Sequence, residues 1–267
     1  MPSDDRAFSA LFAKIERERG FRGGLYRQKC LRRRVAVRMR ARGVNEVQEY
    51  SALLDQDPAE YERLIRVLTI NVSKFFRNPE TWDVIRAEVL PDLLRRREPL
   101  LMWSAGSAAG EEAYSLAILV WEWLAARGLE DDNGIRVVGT DIDAPSLEAA
   151  KRAVYPEVAL SETPARIRRR WFTVGEGWRL KEPVRSFVEF RELDILLRRP
   201  EFDADLVLCR NLLIYLDRPA QEEVFATFVE TLRPGGYLVL GRVEMLAAEV
   251  RSRFEAVNAR ERVYRKL

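Results

Sequence analysis

Two glutamates stand where a glycine-rich turn opens a helix. The stretch SAGSAAGEEAYSLA, residues 104–117, runs small residues and glycines into Glu111 and Glu112 and then into an apolar helical pattern. A turn of this kind ordinarily cradles an anion, because unpaired N–H groups at the helix start point at it. Carboxylates there repel a pyrophosphate and favour a ligand carrying a cation. S-adenosylmethionine has that character: a ribose, a sulfonium, an α-ammonium and no phosphate. The same acids also complement the helix dipole, worth about 0.3–1 kcal/mol each, so the loop alone leaves both readings open. It lacks G-x-G-x-x-G and a P-loop lysine, which argues against dinucleotides and ATP.

Two further stretches place chemistry at strand ends. GTDID (139–143) ends a strand candidate with Asp141, an acid placed to bond ribose hydroxyls; Asp143 is placed to cap a helix beginning near Pro145. LCRNLLIYLD (208–217) ends another, with Cys209 and Arg210 at the strand edge and Tyr215 a short turn later. A buried cysteine, a rim arginine and a core tyrosine are the structural alternatives. The chain has no histidine. That removes Ser-His-Asp hydrolysis, Cys-His proteolysis and His-ligated metal sites, and leaves carboxylate, arginine, tyrosine or a cofactor to do the chemistry.

The elements that must hold these residues fall into two regions. Residues 1–75 read as helices only. In RQKCLRRRVAVRMRARG, Leu31, Val35 and Met39 form one stripe, with Lys29, Arg33 and Arg40 opposite; Gly43 ends the pattern and Asn45 is placed to cap the next helix. In the second region, 76–267, a helix ETWDVIRAEVL follows a connector, and after Pro99 strands and helices alternate, which argues a parallel, doubly wound α/β sheet with ligand chemistry at the strand C-terminal ends. The tail FEAVNARERVYRKL reads as two strands and a turn, and residues 171–190 as a small β-hairpin excursion.

Composition is consistent with this plan. The 267 residues are 47% hydrophobic, enough for a core, and the net charge is only +3. Basic residues nevertheless crowd Arg22–Arg42, with no acid between Glu18 and Glu46. Two distant cysteines, Cys30 and Cys209, suit a reduced compartment. The start MPSDDRAFSALF has acids where a signal peptide needs positive charge, and no stretch approaches the roughly 18 apolar residues of a membrane span. A cytoplasmic protein without membrane insertion is expected, and nothing calls for more than a monomer.

NVSKFFRNPETW (71–82), WSAGSAAGEEAYSLAI (103–118), GTDID, FDADLVLCRNLLIYLD (202–217) and LRPGGYLVLGRVE (232–244) follow one another as in a known family. In order and spacing they resemble the CheR family, chemotaxis-receptor glutamate O-methyltransferases that use S-adenosylmethionine. The resemblance covers nearly the whole chain. It implies a small N-terminal all-helical, basic substrate-docking domain followed by a doubly wound, Rossmann-like methyltransferase domain with a small β-hairpin subdomain. It also implies cofactor contacts at Asn71, Ser73, Arg77, Glu112, Asp141, Cys209 and Arg210, with Asp194 and Ile195 on the adenine side. Arg77 and Tyr215 match the residues associated with methyl transfer. No metal is implied. The implied partner is the cytoplasmic helical region of a chemoreceptor, met by Lys29, Arg33 and Arg40. The implied products are glutamate methyl esters and S-adenosylhomocysteine.

The chain departs from the family in places. Ser73 stands for threonine, Ala113 for proline, Asp194 for asparagine, and GRVE for glycine-histidine-serine-glutamate. The hairpin is short, so recognition independent of a receptor tether peptide is expected. A nucleic-acid methyltransferase using the basic region on phosphates is an alternative. Against it, there is no Asn-Pro-Pro-Tyr-like or Asp-Pro-Pro-Tyr-like segment, and no proline precedes Cys209. The altered GRVE and Asp194 keep a third reading open, a non-catalytic S-adenosylmethionine-binding regulatory protein.

Overall fold

Leu31, Val35 and Met39 recur at the four-residue spacing that puts side chains on one helix face, and all three are buried. They lie on α2 (Gln28–Ala41), which packs with α1 (Pro2–Arg19), α3 (Val47–Gln56) and α4 (Pro58–Thr69) around Leu11, Ile15, Tyr50 and Leu64. Gly43 ends α2 at φ +68°, a conformation glycine adopts without strain. The residue capping α3 is Glu46, with no side-chain cap, rather than Asn45. A buried acid is paired in this unit: Arg38 donates to both oxygens of the fully buried Glu60, at 2.9 and 2.5 Å, and Tyr50 adds its hydroxyl at 2.7 Å. Burial alone would raise the Glu60 carboxyl, but Arg38 and Tyr50 hold it below its ordinary value.

The computed structural model describes residues 2–69, 73–96, 99–129 and 134–267. The chain divides into a helical unit, Met1–Asn71 with Tyr215–Gln221, and a second unit, Val72–Ile214 with Glu222–Leu267.

In the second unit the parallel strands are β1 (Leu101–Ala105), β2 (Arg136–Asp141), β6 (Val188–Glu192), β7 (Ala204–Cys209) and β8 (Leu232–Leu240). The apolar runs of β1, β2, β7 and the end of β8 are buried on both faces, as the interior of a parallel sheet requires, while β6 at the edge is largely exposed. With the C-terminal strands β9 (Phe254–Asn258) and β10 (Val263–Lys266) these five make one sheet in the order β6-β2-β1-β7-β8-β10-β9. The first five are mutually parallel; β10 is antiparallel to both β8 and β9. The chain leaves β1 towards β2 and β6, then returns to β7 on the other side. The reversal lies between β1 and β7, the place where open α/β sheets hold ligands.

The helices of this unit are α5 (Pro79–Val84) and α6 (Leu90–Leu94), separated by a π turn at Ile85–Val89, then α7 (Glu111–Ala125), α8 (Ala144–Arg152), α9 (Ala165–Trp171) and, from Glu222 onward, α10 (Arg218–Thr231). The expected hairpin is β4 (Phe172–Val174) with β5 (Trp178–Leu180), and it gains a third strand, β3 (Val154–Tyr155), in the order β3-β5-β4. Among the described residues no helix is long and apolar enough to cross a membrane.

Candidate active site

The turn after β1 is not an anion cradle. The Gly106 and Ser107 N–H groups both donate to the Thr140 carbonyl, at 2.8 and 2.9 Å. The Ala108 N–H donates to Asp141 Oδ2 at 2.8 Å, and the Gly110 N–H to the Ser107 carbonyl at 2.9 Å. The amides that would hold a phosphate are thus spent on fixing the turn against the end of β2. Gly110 has φ +88°, and a Cβ there would fall 2.7 Å from the Phe190 ring and 2.9 Å from Ala150. Only glycine fits.

Asp141 is 9% exposed and also accepts the Asp143 N–H on Oδ1 at 3.0 Å. Burial raises its carboxyl above the ordinary value, against the pull of these amides. Each oxygen retains a lone pair beyond the bonds described. Asp143 caps α8 by accepting the Ser146 N–H at 3.1 Å.

Glu112 is buried at the start of α7. Its Oε1 accepts the Ser104 hydroxyl at 2.8 Å, and Oε2 stands 3.6 Å from Arg210 Nη1. Burial raises the Glu112 carboxyl; Arg210, Ser104 and Arg77 oppose it. Arg210, itself buried, donates through Nη2 to the Arg77 carbonyl at 2.7 Å and to Asn78 Oδ1 at 3.0 Å, and lies 5.6 Å from the Trp82 ring centroid. One guanidinium therefore braces the end of β7, the start of α7 and the SKFFRNPETW segment.

That segment is over-determined around Arg77. Phe76 and Asn78, on either side, have φ of +53° and +58°, costly for residues with a Cβ. The Phe75 N–H is held by the Ala159 carbonyl at 2.9 Å, the Phe76 N–H by Ser115 Oγ at 2.9 Å and the Asn78 N–H by Glu162 Oε2 at 2.8 Å.

Among the described residues, four buried polar atoms following β1 and β7 have no hydrogen-bond partner: Ser107 Oγ, Glu111 Oε2, Arg210 Nε and Asn211 Oδ1. Three can accept a hydrogen bond and one donates. Hydroxyls, an ammonium and a carboxylate answer such a set. A ribose and an α-amino acid supply them, so S-adenosylmethionine fits the residues present. Burial raises the Glu111 carboxyl to about 7.

The family model described as CheR methyltransferase, SAM binding domain, matches residues 71–263, and that of the CheR methyltransferase all-alpha domain matches residues 6–69. The chain belongs to the CheR methyltransferase family. A chemotaxis protein methyltransferase 2 of Pseudomonas aeruginosa is 34% identical over 218 residues, 79% of this chain and 76% of the relative. A chemotaxis protein methyltransferase of Listeria innocua is 31% identical over 234 residues, 87% of each. Among solved structures, the glycopeptide N-methyltransferase MtfA complexed with sinefungin aligns over 58% of this chain and 48% of its own, at 16% identity and a TM-score of 0.34.

The remaining residues matched to the CheR pattern are distributed unevenly. Asn71 lies outside the described residues, and Ser73 is half-buried. Asp194 and Ile195 follow β6, where the Leu193 N–H bonds the Asp141 carbonyl at 3.0 Å. Asp194 Oδ1 accepts the Leu196 N–H at 2.9 Å. That turn needs only a side-chain oxygen, so aspartate serves it as asparagine would. Cys209 is wholly buried as a thiol, its pKa pushed well up by burial and by Glu244 and Glu112. Tyr215 clusters with the helical unit. Lys29, Arg33 and Arg40 are exposed on α2.

Sequence reasoning missed Ser104, Asn78 and Glu244. Glu244 is buried after β8; its Oε2 accepts the Gly241 and Asn211 N–H groups at 2.6 and 2.9 Å, and its Oε1 the Ile214 N–H at 3.3 Å. The retained last residue of GRVE was the signal for it. Arg242, where the family has histidine, donates to both oxygens of Glu261 at 2.9 Å and to Glu80 at 2.8 Å.

Proposed function

We propose that this chain transfers a methyl group from S-adenosylmethionine to glutamate side chains of a chemoreceptor's cytoplasmic helical region, giving methyl esters. The reading is carried by the buried Ser104–Glu112–Arg210 array at the sheet reversal, joined to Arg77, in a member of the CheR family. Asp141, Glu112, Arg210 and the unpartnered atoms of Ser107, Glu111 and Asn211 would hold the cofactor. Bound there, it supplies a methyl group activated on a sulfonium.

The protein's share is alignment and exclusion of water. A glutamate has an unperturbed pKa of about 4.3 and is already a carboxylate at neutral pH, so no general base is needed. This accounts for chemistry in a chain without histidine. Opposite charges are neutralised in the reaction, so removing water favours it. Arg77 offers a planar guanidinium to the incoming carboxylate, on a backbone that its neighbours fix. Tyr215 is the second residue assigned to the transfer step.

Radiolabelled methyl transfer to receptor cytoplasmic fragments, with alkaline lability of the label, tests this. Label should pass in chelator-containing buffer and be released by base. Arg77→Ala should lose turnover far more than cofactor affinity, and Arg77→Lys should recover only part of it. Label passing to RNA instead of receptor, or cofactor binding without any transfer, would defeat the proposal.

A further inference from the structure

The chain changes its partners at Tyr215. Just before it, the Asn211 and Ile214 N–H groups bond Glu244. From Tyr215 onward the segment pairs within the helical unit. The Tyr215 carbonyl accepts the Arg27 N–H at 2.8 Å, and the Asp217 N–H donates to the Leu25 carbonyl at 3.0 Å. Tyr26 and Leu216 form an antiparallel bridge, and Arg27 Nε donates to the Leu216 carbonyl at 3.1 Å. The backbone at Tyr215 is pinned. What freedom remains to the phenol is in its two side-chain torsions.

Arg34 faces that freedom. Its guanidinium lies 5.7 Å from the Tyr215 ring centroid, within the range of a cation–π attraction. It is not a solvated surface cation. Its Nη1 donates to the Val67 carbonyl on α4 at 2.6 Å, and its Nε is buried without a hydrogen-bond partner. A guanidinium fixed at one end and partly out of water gains more from a ring face than an exposed one does. Lys29, Arg33 and Arg40 on the same helix are exposed instead. The basic helix thus carries exposed cations beside others that are engaged, Arg38 on Glu60 and Arg34 against the tyrosine.

We propose that Arg34 is a positioning residue for Tyr215, so that α2 acts on methyl transfer through the tyrosine as well as through its exposed face. The kinetic consequence rests on the reading that Tyr215 takes part in the transfer step. The structural one does not.

The test uses the full chain labelled with 3-fluorotyrosine, the Tyr215 resonance being assigned by its loss in Tyr215→Phe. Arg34→Met should move that resonance and leave the other tyrosines in place. It should lower kcat for a receptor fragment about tenfold or more, as misplacement of a positioned group does. KM for receptor should stay within about twofold, with cofactor affinity unchanged. Arg34→Lys should fall between. In a Tyr215→Ala background, Arg34→Met should lower kcat no further.

An unmoved resonance, or a rise in receptor KM at constant kcat, overturns the proposal; the latter result would make Arg34 a docking residue. Additive losses in the double variant overturn it too. If Arg34→Met does not fold, Arg34→Lys carries the same readouts. A wild-type protein that methylates no receptor defeats the glutamate reading at the first control, and the fluorine resonance then decides on Arg34 alone.

Discussion

Glu244 Oε2 and the N–H of Asn211 meet at 2.9 Å, tying the turn after β8 to the turn after β7. The same carboxylate holds Gly241 and Ile214. Asn211 sits at φ +63°, a conformation disfavoured for a residue with a Cβ. A single buried acid therefore sets the path of the chain between Arg210 and Tyr215, two residues drawn from one short motif.

Glu244→Ala should leave those N–H groups buried without an acceptor, at a cost of about 2–4 kcal/mol. Glu244→Gln should be milder, because one oxygen stays. Urea denaturation measures the stability loss, and calorimetry should show weaker cofactor binding in both variants. Unchanged cofactor affinity in a destabilised Glu244→Ala would confine its role to the scaffold.

Asp141→Asn should weaken S-adenosylmethionine and S-adenosylhomocysteine alike, by about 1.5–3 kcal/mol, the worth of a hydrogen bond to a charged group. The amide keeps one acceptor oxygen for the turn, so the fold should survive. Titration calorimetry showing wild-type affinity would take Asp141 out of ribose binding.

Glu111 makes ligand-free stability depend on pH. Burial raises its folded pKa to about 7, above the unfolded value, so the folded state binds more protons between the two. Its contribution is fully present below the unfolded pKa of about 4.3 and is lost as pH rises towards 7. The loss reaches about 4 kcal/mol at most. Glu111→Gln should flatten that slope in the difference between the two stability profiles from pH 4 to 8. Parallel profiles would show that Glu111 ionises freely.

Receptor methylation should fall as salt rises past physiological strength, because the exposed cations of α2 are screened. Reversing Arg33 and Arg40 to glutamate should raise receptor KM several-fold, with cofactor binding intact. In the small sheet β5 is paired on both sides, and its neighbours β3 and β4 have two and three residues. Little edge is left for an added peptide strand. Fragments with and without their C-terminal tails should therefore be methylated alike. Strong dependence on the tail, with indifference to the reversals, would place docking on the small sheet.

Helix faces and strand order of appearance were legible because they follow from local periodicity. The stripe of Leu31, Val35 and Met39 and the alternation after residue 99 need no knowledge of distant residues. GTDID and LCRN could be placed at strand ends on the same ground. The partner of each acid could not. Glu112 meets Arg210 because β1 and β7 become parallel neighbours, although the chain visits β2 and β6 between them.

The sequence by itself determined the two-part plan, the family, and a chemistry that runs without histidine. These rest on residue types and short spacings, which the chain carries wherever it folds. Tertiary structure decided that the glycine turn spends its amides on Thr140 and Asp141, and that Arg210 braces three segments. It also decided that Arg34 and Arg38 turn inward while Arg33 and Arg40 stay exposed. Those choices depend on which groups burial leaves in need of a partner, and burial is a property of the packed chain.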